Sequence, residues 1–89
     1  MEDQLTITLD PPLDAPGGPY AAIELREPTA GDLVETDGLE GYASDVRIIS
    51  VIAGMPESAV RKIPARPFLQ ATRFISGFLK PAPPTGAAA

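Results

Sequence analysis

Residues 25–33, Leu25-Arg26-Glu27-Pro28-Thr29-Ala30-Gly31-Asp32-Leu33 (LREPTAGDL), divide the chain into two kinds of pattern. Pro28 disfavours helical geometry at Glu27, so an incoming strand ends there. Thr29 can then cap a helix by accepting a backbone N–H on its side-chain oxygen, while Asp32 sets a carboxylate at the positive helix end. The Thr-x-x-Asp spacing is a variant of the capping box, in which the Asp32 side chain reaches back to the cap. Thr29 and Asp32 are thus read as a structural cap, and the segment as the joint between a strand and a helix.

Before the joint, residues 4–9 alternate, with Leu5, Ile7 and Leu9 on one face and Thr6 and Thr8 on the other. That is the pattern of a half-buried strand. Residues 10–19 contain four prolines and two glycines, which predicts a loop that does not continue the ladder. A second strand over 20–25, with Ala21, Ile23 and Leu25 inward, completes a β-hairpin with a long connection.

After the joint the period changes to that of helices. A short helix is expected over 30–36, ended by Gly38 or Gly41. Residues 42–53 follow, with Tyr42, Val46, Ile49 and Ala53 on one stripe and Ile48, Val51 and Ile52 widening it. An arc this broad marks a core helix, with Ile48 and Ile52 as candidates for contact with a partner. Gly54 suits a left-handed cap, Pro56 opens a helix over 56–63, and Pro64 and Pro67 bracket a break before a last helix over 68–79. That last helix has a wide apolar surface on which Phe74, Phe78 and Leu79 are further partner-binding candidates. The resulting fold class is α+β: an N-terminal β-hairpin followed by three to four short α-helices.

With 89 residues the chain has room for one small domain, assigned to residues 1–80. A domain of this size buries only about 60–65% of its unfolded surface, so its core or its partners must supply its stability. Neither Cys nor His is present, which removes disulfides and His/Cys zinc sites. Residues 81–89, PAPPTGAAA, have the composition of an extended, disordered tail. The Met-Glu-Asp-Gln start lacks a basic, apolar leader, and the apolar run over 48–55 is far short of the roughly 20 residues that span a bilayer. A cytoplasmic protein without membrane attachment is expected.

The formal net charge of −5 is unevenly spread. Residues 1–45 hold 11 of the 12 acids and a single base, Arg26, whereas 46–89 hold six bases and one acid, Glu57. The bases are dispersed and lack interleaved aromatics, so nucleic acid is not an expected partner. The acids Asp32, Glu35, Asp37 and Glu40 do not match a calcium loop, which needs alternating ligands, a central glycine and a closing Glu. Ser44, Ser50, Ser58 and Ser76 have no base in a recognisable arrangement, and Gly17-Gly18 lacks the Lys-Ser/Thr of a phosphate loop. The expectation is a non-enzymatic protein with no cofactor, no metal and no catalytic residue.

The order of ITL near the start, IELREPTAGDL, the stretch ISVIAGMPESAVRKI and a short final helix resembles the Mu-like phage tail assembly chaperone family. The resemblance runs from about residue 4 to residue 79, and LREPTAGDL is its most distinctive part. It departs at Pro64-Ala65-Arg66-Pro67, where the family would place an Asp or similar cap before the last helix. The resemblance implies a protein of the host cytoplasm, from a phage or prophage, that coats the helical tape-measure protein and delivers it to polymerising tail-tube subunits. It also implies a longer frameshifted form of the same chain as a partner, and it supplies no catalytic or ligand residue. Independently of the resemblance, wide apolar helix faces on a small core point to a homo-oligomer. The alternatives are a small structural tail or baseplate component, or an acidic adaptor for a basic partner.

Overall fold

In the computed structural model, which describes residues 3–79, an antiparallel β-hairpin is followed by four helices, the α+β arrangement predicted. The elements are β1 (Gln4–Leu13), β2 (Tyr20–Arg26), α1 (Ala30–Val34), α2 (Gly41–Ala53), α3 (Glu57–Val60) and α4 (Ala65–Leu79). The tail expected over 81–89, together with Lys80, lies outside the described residues.

The hairpin departs from expectation in one respect. Its register is regular from Gln4↔Arg26 to Thr8↔Ala22, is then interrupted, and resumes at Leu13↔Tyr20. Four residues of β1, numbers 9–12, therefore stand opposite Ala21 alone. Pro11 and Pro12 fall inside this irregularity, where the strand has no ladder bond for a proline to remove. The strand thus passes through the prolines instead of stopping at Leu9. Ile7, Leu9, Ile23 and Leu25 are buried as predicted, whereas Ala21, also expected inward, is exposed because the ladder breaks beside it.

The connection between the strands is shaped by Ala15-Pro16-Gly17-Gly18. The Gly18 N–H donates to the Ala15 carbonyl at 2.8 Å, with Gly17 at φ +82°, an arrangement that suits Pro and Gly at the two central turn positions. Tyr20 donates from its hydroxyl to the Pro16 carbonyl at 2.7 Å and closes the turn. A Cβ on Gly17 would lie 2.4 Å from that hydroxyl. Gly17→Ala is expected to lower stability by about 1–2 kcal/mol, read as a drop in thermal midpoint, because it meets both the backbone and the tyrosine.

The helices pack on the inner face of this hairpin. α2 lies against β2, and α4 touches both strands and α2. Val46, Ile48, Ile49 and Ile52 of α2 are buried, with Ala59 and Val60 of α3, Ala71 and Ile75 of α4, and the neighbouring Met55 and Ile63 completing the core. Tyr42, placed by periodicity on the α2 stripe, is mostly exposed, because α2 begins beyond the edge of the core; its ring lies 6.1 Å from that of Phe68. α2 ends as predicted at Gly54, whose left-handed φ of 70° lets the N–H groups of Gly54 and Met55 both reach the Ser50 carbonyl.

Three helices differ in their bounds from the sequence reading. α3, expected over 56–63, spans only Glu57–Val60, with Pro56 as its cap and single turns continuing to Ile63. α1 closes after Val34, and single turns carry the chain on to Gly38 at φ +83°. α4 starts at Ala65, not Phe68, and the Phe68 N–H donates to the Pro64 carbonyl at 3.1 Å. Pro67 is accommodated in the first turn, where an N–H would have no helical acceptor in any case.

Candidate partner-binding surface

The joint at 25–33 sets the position of α1. Thr29 Oγ1 accepts from the Asp32 N–H at 3.2 Å, and Asp32 Oδ2 accepts from the Thr29 N–H at 2.8 Å, so both arms of the capping box are present. A pairing that the sequence pattern does not indicate adds to these bonds: Arg26 donates from Nη1 to Asp32 Oδ2 at 2.6 Å and from Nη2 to Oδ1 at 3.4 Å. The two residues are six apart across a proline, beyond any helical spacing rule that would have paired them. Asp32 is only 7% exposed. The Arg26 guanidinium, and after it the Thr29 backbone N–H, hold its carboxyl down at about 2. Its surroundings favour a permanently ionised tie between the end of β2 and α1.

A second tie fixes α1 to the helices that follow. Arg47 Nε pairs with Glu57 Oε2, and Arg47 Nη1 donates to the Glu35 carbonyl at 3.1 Å, joining α2 to α3 and to the end of α1. So held, α1 forms one wall of a shallow groove of about 40 Å³ with α2 and α4, lined by Leu33, Thr36, Ser44, Asp45, Ile48, Thr72, Ile75, Ser76 and Leu79. Leu33 and Leu79 stand at its rim, 40% and 45% exposed, while buried Ile48 and Ile75 form the floor. Tyr42 and Leu69, also exposed, belong to the same two long helices, and Val34 is exposed on α1.

The sequence-predicted residues distribute unequally over this surface. Leu79 is on the rim. Ile48 and Ile52 are core residues and present no open side chain, although Ile48 underlies the groove. Phe74 is half-buried against the core, and Phe78 stacks edge-on against it with ring centroids 5.2 Å apart. By the 100° step of a helix, Phe78 faces away from the line of Thr72 and Leu79, so the α4 candidates lie on two faces instead of one. Leu33, Val34, Tyr42, Leu69 and Asp45 lie outside the partner-binding residues expected from the sequence.

Asp45 is the polar exception in the groove. It is half-buried in the α2 wall, and burial pushes its carboxyl above the ordinary carboxylate range. Among the described residues it takes part in no ion pair.

A larger open cleft of about 550 Å³ lies between residues 7–14, at the end of β1, and the start of α4. Pro11, Pro12, Pro64 and Pro67 line it, with Asp10, Asp14 and Arg66 as its charged groups. Among the described residues no group of three or more His, Cys, Asp or Glu could hold a metal ion, and no helix is long and apolar enough to cross a membrane.

A sequence model of the family described as "Phage tail assembly chaperone proteins, E, or 41 or 14" matches residues 6–80 of the chain. No curated protein and no solved structure matches.

Proposed function

This chain belongs to the phage tail assembly chaperone family, and from that membership we propose that it binds the tape-measure protein in the host cytoplasm and promotes assembly of the tail tube around it. Family membership carries a role in tail assembly and a non-enzymatic one; the tape-measure protein is our choice of client. The observation that supports the choice is the groove between α1, α2 and α4, whose rim leaves Leu33 and Leu79 to solvent above a floor of buried isoleucines. Apolar side chains left open around a groove suit the apolar face of an amphipathic helix, and a long helical client offers many such faces in series. Several copies could then line one client, each covering apolar surface until tube subunits replace it, and a longer frameshifted form of the chain could take part in the same array.

Co-expression tests this reading. The tape-measure protein should be recovered in the soluble fraction with the chaperone and be largely insoluble without it; equal solubility in both cases would refute the proposal. Leu79→Glu, at an exposed position, should leave the circular dichroism spectrum unchanged and weaken recovery of the client about tenfold, the equivalent of one apolar contact replaced by a charge. Mass spectrometry of purified particles should find the chain absent, whereas stoichiometric copies in mature tails would make it a structural component.

A further inference from the structure

We propose that the α1–α2–α4 groove receives a partner helix whose apolar stripe is interrupted by a lysine or arginine, and that Asp45 is the residue that pairs with that cation. The inference rests on the reading that the client is a helical protein, and it specifies the chemistry by which a segment of that client is chosen. Its first support is placement. Asp45 lies in the wall of the groove beside Ile48, between the exposed rim residues Leu33 and Leu79, so a ligand that covers the leucines also covers the carboxylate. A carboxylate covered without a cation would be strongly disfavoured, which makes the charge selective as well as attractive.

The second support is the charge of the walls. Between Arg26 and Arg47 the chain has six acids and no base, and of these Asp45 lines the groove, whereas Asp32 of α1 is paired with Arg26 and the first turn of α2 has no acid. Arg47 is engaged with Glu57 and the Glu35 carbonyl. On the α4 wall the nearest described base is Arg73, one residue beyond Thr72 and so about 100° around the helix from the groove-facing line. Asp45 is thus the one charged residue among those that line the groove, and the groove is complementary to a partner that sets a cation opposite it. The third support is that Asp45 has no ion-pair partner among the described residues and is partly desolvated where it sits, a cost to the free protein that a bound cation would offset.

Stability and binding should consequently move in opposite directions. Asp45→Asn removes the desolvated charge at constant shape, so its thermal midpoint should equal or exceed that of the wild type. Binding is measured with the full chain against overlapping peptides that cover the tape-measure protein, and against that protein whole. Peptides bound by the wild type should carry a Lys or Arg within an apolar helical stripe. Asp45→Asn should bind them about tenfold more weakly. Replacing the peptide's base with Gln should cost the wild type a similar factor and cost the Asn variant little, as a double-mutant cycle requires.

Unchanged affinity of Asp45→Asn for client peptides that do bind would overturn this inference alone. So would a set of bound peptides without a base in the stripe. Wild-type protein that binds neither peptides nor the whole client would overturn the parent reading and this one together. A wild-type dimer that Leu79→Glu dissociates and that no client peptide competes with would assign the groove to a second copy of the chain, and would also overturn the proposal.

Discussion

Ile49→Ala should remove most of the stability of this protein. Ile49 is completely buried at the centre of α2, the helix that meets β2, α3, α4 and α1. Removing three carbons there forfeits their transfer from water and leaves a space that neighbours on several elements cannot all move to fill. The expected loss is about 3–4 kcal/mol. A small domain without disulfides has a total stability near the low end of roughly 5–15 kcal/mol, so the urea midpoint should fall by more than half. Val34→Ala, at a position 70% exposed, should change it by no more than about 0.5 kcal/mol. Comparable midpoints for the two variants would mean that α2 does not organise the core.

The second large effect is expected at Asp32, where it depends on pH. Asp32→Ala removes the return arm of the capping box and leaves Arg26 without its partner, a loss of about 2–3 kcal/mol near neutral pH. Asp32→Asn isolates the charge. The folded carboxyl titrates at about 2, below its ordinary 3.8, so ionised Asp32 stabilises the fold fully above the ordinary value, and this contribution declines as pH falls toward the folded value. The difference corresponds to about 2 kcal/mol. Urea titrations should find wild type more stable than Asp32→Asn by about that amount near pH 7, with the gap largely closed by about pH 2. A gap independent of pH would show that shape, and not charge, is what Asp32 contributes.

What could be read from the sequence was set by range. The Thr29–Asp32 box and the Gly54 cap involve groups a few residues apart, so local rules specify them completely. The alternation at Ile7, Ile23 and Leu25 was equally legible, because a half-buried strand has only two faces. Arg26–Asp32 was not, since the pairing depends on how the chain turns at Pro28. Prolines misled twice. Composition alone places an end of β1 and a delay of α4 at them, yet a bulge and a first helical turn are settings in which a proline costs no hydrogen bond.

The binding surface was less legible than the fold. Periodicity groups residues into stripes, but a central helix is covered from several directions, and the breadth of its apolar arc does not tell which sector stays open. Ile48 and Ile52 of α2 are covered, while Leu33, Tyr42 and Leu79, near the ends of their helices, are not. Asp45 had no signal at all in sequence, being one acid among eleven in its half of the chain.

The proline-bearing irregularity in β1 has a bearing on crowding. A two-stranded sheet has an outer edge on each strand, and an open edge is a template on which strands of other molecules can stack. Pro11 and Pro12 have no N–H to donate, so a strand laid along that part of β1 would find neither donors nor a straight ladder. The β2 margin carries Glu24 and Arg26 exposed to solvent. The hairpin is thereby protected against amyloid-like stacking of one copy on the next, which matters for a protein that would be gathered in many copies along a single client.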